Sequence, residues 1–141
     1  MHNLLPETKL DHIAYAVRST DSAMKMFSII YPKTTLYKAV EKNQNVLITY
    51  LSNETESHRI ELVEPIGEEN PVKNMLKTKE TVMYHLGYRV ADFNKSINIL
   101  KNNNFLMVTT PFETTIEPGI WACHLFNPKC GIIEIIGEKN E

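Results

Sequence analysis

Apolar and polar residues alternate along this chain with two periods, and the switch between them happens twice in the same order. Leu10-Asp-His-Ile-Ala-Tyr-Ala-Val17 is rich in strand formers and long enough for one strand. Asp11, Ile13, Tyr15 and Val17 fall on one of its faces, and His12, Ala14 and Ala16 on the other. Ser19-Thr20-Asp21 then supplies a helix cap. Ala23, Met26, Phe27 and Ile30 follow at i, i+3, i+4 and i+7, which predicts an amphipathic helix of about ten residues ended by Pro32. Three strands are expected next, over 35–40, 46–51 and 58–63, with loops over 41–45 and 52–57 between them. Residues 64–71 break the pattern. Asn70 followed by Pro71 reads as an N-cap with proline at the first helical position, so a short helical turn is expected over 72–76.

The order then starts again. Residues 83–90 read as a strand, Asp92 as a cap, and Phe93, Ile97 and Leu100 as one helix face ended by Asn102-Asn103-Asn104. Strands over 105–109, 120–126 and 131–136 complete the second round. The recurrence is numerical: His12-Ile-Ala-Tyr-Ala-Val17 matches His85-Leu-Gly-Tyr-Arg-Val90, and Ile60-Glu61-Leu62-Val63 matches Ile133-Glu134-Ile135-Ile136. Both lie at an offset of 73 residues (85 − 12 and 134 − 61). The expected fold is therefore α+β, with two βαβββ modules related by pseudo-twofold symmetry. The modules run over about 8–64 and 82–138, are linked by 65–81, and form one domain, because a single four-stranded module leaves one sheet face uncovered.

Composition narrows the function classes. The chain has 141 residues, 43% apolar and 23% charged, the profile of a soluble globular domain with a real core. A net charge of -2 with no Lys/Arg block argues against a nucleic-acid groove or an anionic membrane surface as partner. No apolar run approaches the roughly 20 residues of a membrane span, and the first residues lack the pattern of a signal peptide. Cys123 and Cys130 match no zinc spacing and make no disulfide framework, so a reduced, cytoplasmic protein is expected.

The candidate chemistry lies in the repeated positions. Glu61 and Glu134 each interrupt an apolar strand, where an ionised carboxylate is costly unless it is paired or bound to a metal. A pseudo-twofold axis brings equivalent positions of two modules near itself. His12, Glu61, His85 and Glu134 are therefore read as ligands of one divalent metal ion, Ni, Co, Mn or Zn, given mixed N/O donors and no thiolate. His124 alternates with Cys123 and Leu125 and could face the pocket, but is read as a hydrogen-bonded strand histidine; His2 and His58 have no counterpart in the repeat. Tyr15 and Tyr88 fall on the face opposite the histidines, where packing explains them. Neither cysteine has an activating neighbour in sequence.

These residues resemble the vicinal oxygen chelate superfamily, which includes glyoxalase I, methylmalonyl-CoA epimerase, extradiol dioxygenases and antibiotic-resistance proteins. The resemblance spans nearly the whole chain: the strand 10–17, Arg59-Ile-Glu-Leu-Val-Glu-Pro65 with Glu69-Asn70-Pro71-Val72, His85-Leu-Gly-Tyr-Arg-Val90, and Phe126-Asn-Pro-Lys129 before Gly131-Ile-Ile-Glu134. It implies a curved mixed sheet around a metal site, with ligands at His12, Glu61, His85 and Glu134. It also implies a Lewis-acidic ion that stabilises charge developing on a substrate carbonyl. Glu134 is then the base, with Glu61 as its partner. The implied activity is proton abstraction next to the carbonyl of a small acyl thioester, as in methylmalonyl-CoA epimerase. The alternatives are a glyoxalase I-type lyase acting on a hemithioacetal, or a non-catalytic ligand-binding or resistance protein. Bacterial epimerases place a further acid on the strand that here reads Val46-Leu-Ile-Thr49, and no acid occurs there. Lys129 is either a contact for a substrate anion or a solvated turn residue. Family habit implies a homodimer.

Overall fold

A computed structural model describes residues 4–31, 35–53 and 55–139, with the backbone alone for 35–37. The expected helix terminator Pro32 and the N-terminal His2 lie outside the described residues. The fold class is α+β, and the chain divides into two compact units, His12–Tyr84 and Met1–Asp11 with His85–Glu141. No helix among the described residues is long and apolar enough to cross a membrane.

The first unit contains most of β1 (Lys9–Val17), which leads into α1 (Thr20–Ile30), followed by β2 (Thr35–Glu41), β3 (Val46–Ser52) and β4 (Arg59–Pro65). The strand order is β2-β3-β4-β1, with β1 and β4 parallel and the other neighbours antiparallel. A parallel pair needs a long crossover, and α1 begins it. Ser19 caps α1 by accepting from the Ser22 amide at 3.1 Å, while the Glu64 carboxylate at the end of β4 accepts from the Thr20 amide at 2.6 Å. The helix start is thereby tied to the sheet. Val17, Leu51, Ile60 and Leu62 form the core on one sheet face, with Ile13, Tyr15, Ala23, Met24, Phe27 and Tyr31 against them.

The helix is rotated from its expected face. Ala23 and Phe27 pack inward, but the third inward residue is Met24, and Met26 and Ile30 are exposed. The stripe Ala23-Met24-Phe27-Tyr31 obeys the helical period as well as the expected one did, and cap placement selects between them. After β4, Asn70 Oδ1 accepts from the amides of Val72 and Lys73 and starts the 3₁₀ turn Lys73–Leu76. Arg18 at the end of β1 holds this connection through the carbonyls of Leu76 (2.7 Å) and Lys77 (2.9 Å).

The second unit contains most of β5 (Thr81–Arg89), then α2 (Phe93–Asn102), β6 (Leu106–Met107), β7 (Phe112–Glu113), β8 (Ile120–Asn127) and β9 (Gly131–Glu138). Its order is β5-β9-β8-β6, with β7 also on β8. Asp92 caps α2 by accepting from the Lys95 amide. Phe93, Ile97 and Leu100 pack on Cys123, Leu125, Ile133 and Ile135, with Tyr88 alongside.

The strand expected over 105–109 is cut short. Leu106 and Met107 face Phe126 and Leu125, but the next paired residue, Phe112, faces Ala122. Four residues, 108–111, thus span the space opposite two, 123 and 124. The amides of Val108 and Thr109 both go to the His124 carbonyl, and Pro111 has no amide to give, so the ladder cannot continue and a wide bulge forms.

Gly137 of β9 is required by close approach: a Cβ there would lie 2.7 Å from the Val90 carbonyl oxygen, a backbone atom. Gly137→Ala is expected to cost about 1–3 kcal/mol by overpacking, read as a lowered midpoint in urea unfolding with an unchanged slope.

Candidate metal centre

The parallel pairs reproduce the sequence repeat in their register. In the first unit Ala14 faces Glu61 and Tyr15 faces Leu62; in the second, Gly87 faces Glu134 and Tyr88 faces Ile135. Each glutamate therefore has a small residue beside it, and each histidine lies two residues before that small residue, on the same face. Diagonal neighbours of this kind are within reach of long side chains. In the first unit His12 Nε2 is 3.5 Å from Glu61 Oε2, and both residues are buried. In the second unit His85 Nε2 is 3.9 Å from Glu134 Oε2.

Tyr50 stands directly opposite Glu61 in the β3–β4 ladder, and its ring meets His12 edge-on with centroids 6.4 Å apart. The Arg59 guanidinium lies 3.8 Å over that ring. In the second unit the residue opposite Glu134 is His124. Its Nε2 is 2.8 Å from Glu134 Oε2, and its ring meets His85 edge-on with centroids 4.9 Å apart. Thr109, carried by the bulge, accepts the His124 backbone amide at 2.9 Å and touches the ring Nδ1 at 3.3 Å. His124, expected as a hydrogen-bonded strand histidine, joins the site. Its fixed neighbours make it the third member of a buried group, His85, His124 and Glu134, whose ligand atoms lie within 4.8 Å of one another.

The donor set fits a divalent ion. Two donors on one ion at about 2.0–2.2 Å can be no more than about 4.4 Å apart. The His12–Glu61, His85–Glu134 and His124–Glu134 separations all meet that limit. Nitrogen and carboxylate donors without thiolate suit such a metal. Cys123 points to the helix side of its sheet, where Sγ donates to the Thr109 carbonyl at 3.3 Å, and burial pushes its thiol up to about 11. His58 pairs with Glu56 at 3.3 Å, and Lys129 is an exposed turn residue.

Residues 11–123 match the sequence profile of the Glyoxalase/Bleomycin resistance protein/Dioxygenase superfamily. The chain belongs to this superfamily. Solved structures share its fold over nearly its whole length. A hypothetical protein from Bacillus halodurans C-125 is 24% identical over 96% of this chain and 97% of that one, with a TM-score of 0.77. Methylmalonyl-CoA epimerase from Mycobacterium tuberculosis is 20% identical over 92% and 87%, with a TM-score of 0.77. A Streptomyces coelicolor methylmalonyl-CoA epimerase variant, in complex with 2-nitronate-propionyl-CoA, is 18% identical over 96% and 99%, with a TM-score of 0.76. These likenesses are of fold. No curated protein sequence matches the chain.

Cysteine labelling checks the assignment of Cys123 to the core. At pH 8 iodoacetamide is expected to modify only the exposed Cys130 in the folded protein, and both thiols once it is unfolded. Mass spectrometry locating rapid native-state modification at Cys123 would contradict its placement.

Proposed function

We propose that this protein is a divalent-metal-dependent isomerase that moves a proton at the carbon next to the carbonyl of a small acyl thioester, as a methylmalonyl-CoA epimerase does. The observation that supports this most is the pair of buried carboxylates, each at the same register position beside a histidine. In this reading His12, Glu61, His85 and Glu134 together hold one ion, Ni, Co, Mn or Zn, in a domain made of both modules. A bound ion of this kind supplies Lewis acidity toward a carbonyl oxygen. Glu134 takes the proton and Glu61 returns it to the opposite face of the carbon.

β3 carries no acid from Val46 to Ser52, so in this reading Glu61 and Glu134 themselves carry the proton. The same observation favours a second reading, a glyoxalase I-type lyase in which the proton goes to the neighbouring carbon of a hemithioacetal. The partner is a small molecule in either case. The reading includes a cytoplasmic homodimer, and the exposed apolar row Met26, Ile29 and Ile30 on α1 supports self-association.

Purified protein loaded with Co(II) or Ni(II) is expected to exchange the C2 proton of methylmalonyl-CoA for deuterium in D₂O, followed by NMR. Glu134→Gln should lower kcat by about 10²-fold or more. Activity on a hemithioacetal alone selects the lyase, and inactivity on both substrates refutes both enzymes. Elemental analysis of His12→Ala and Glu134→Ala tests the ligands separately. Full metal retention by both variants would overturn the four-residue site.

A further inference from the structure

We propose that His124 is an additional metal ligand, so that the second module carries a complete two-histidine, one-carboxylate donor set of its own: His85, His124 and Glu134. The inference rests on the reading above that the protein binds a divalent ion, and it changes where most of the binding energy lies.

A single carboxylate oxygen, Glu134 Oε2, faces two imidazole Nε2 atoms from different strands, at 2.8 Å from β8 and 3.9 Å from β5. All three side chains are buried, so their mutual approach is set by the sheet rather than by surface rotamers. Direct cross-strand pairing puts His124 and Glu134 on the same face, and the strand alternation adds His85. Two histidines and one carboxylate suffice as the protein ligands of a zinc site.

The support behind His124 is also that of a ligand. Imidazoles that bind metals through one nitrogen give the other ring N–H to a fixed acceptor, which sets tautomer and orientation. Thr109 Oγ1 is within reach of Nδ1 and is itself fixed by the His124 backbone amide. A hydroxyl can accept or donate, so Thr109 can accept the Nδ1–H of the tautomer whose Nε2 lone pair binds an ion.

Among the described residues, the first module brings no second histidine of its own to Glu61. Opposite Glu61 the ladder places Tyr50, whose ring is covered by Arg59. The two halves are thus chemically unequal, with one histidine and one glutamate in the first and two histidines and one glutamate in the second.

Protein stripped of metal and titrated with Co(II), followed by visible absorption, tests this. The expected result is a Co(II) affinity at least tenfold weaker in His124→Gln, with a displaced visible band, and recovery of the wild-type band when imidazole is added to His124→Gly. Thr109→Val should weaken binding severalfold and leave the band in place. An NMR readout avoids dependence on variants: in wild-type protein with ¹⁵N-labelled histidine, Zn(II) should move the His124 Nε2 resonance into the metal-bound range. An unmoved resonance, or a His124→Gln variant with wild-type affinity and band, overturns the proposal. If His12→Ala binds Co(II) like wild type while His124→Gln does not, the second-module set stands and the four-residue site falls. If wild-type protein takes up no Co(II), both fall.

Discussion

A carboxylate carried into the middle of an apolar strand loses several kcal/mol of hydration, and that cost sets the terms for this fold. Glu61 and Glu134 are each flanked by Ile, Leu or Val on their own strands. The parallel pairing of the first and last strands of each module answers the cost. It brings a buried histidine diagonally alongside the carboxylate and sets a residue no larger than alanine directly beside it. Helix placement serves that pairing, since α1 and α2 each pack on the sheet face opposite the histidines.

The sequence carries this pairing openly, because strands alternate with a fixed period of two and a duplicated register must repeat at a constant offset. His12, Glu61, His85 and Glu134 could be singled out from that offset, and their strands and both helices lie close to where the pattern places them. Less local features were hidden. The inward face of α1 depends on where Ser19 and Glu64 anchor the first turn, so a choice between two valid stripes needs the sheet. The loss of strand after Met107 depends on two amides converging on one carbonyl across the sheet.

His124 was obscured for a different reason. Shifting it by the repeat offset lands on Leu51, a core residue, whereas the ladder shows its true counterpart to be Tyr50. One residue of difference in the hairpin between the last two strands breaks the match while leaving both glutamates in register. Constant spacing between the ends of a module therefore conceals slippage inside it, and cross-strand partners must be read from pairing rather than from arithmetic.

The bulge at 108–111 is a difference of two residues relative to a plain ladder, and β2 and β3 in the first module form such a ladder without interruption. The two-residue excess at this edge is thus what sets a hydroxyl against the imidazole of the facing strand, so the chemical inequality of the two modules is carried by an edge segment whose residues lie outside the helix-backed core.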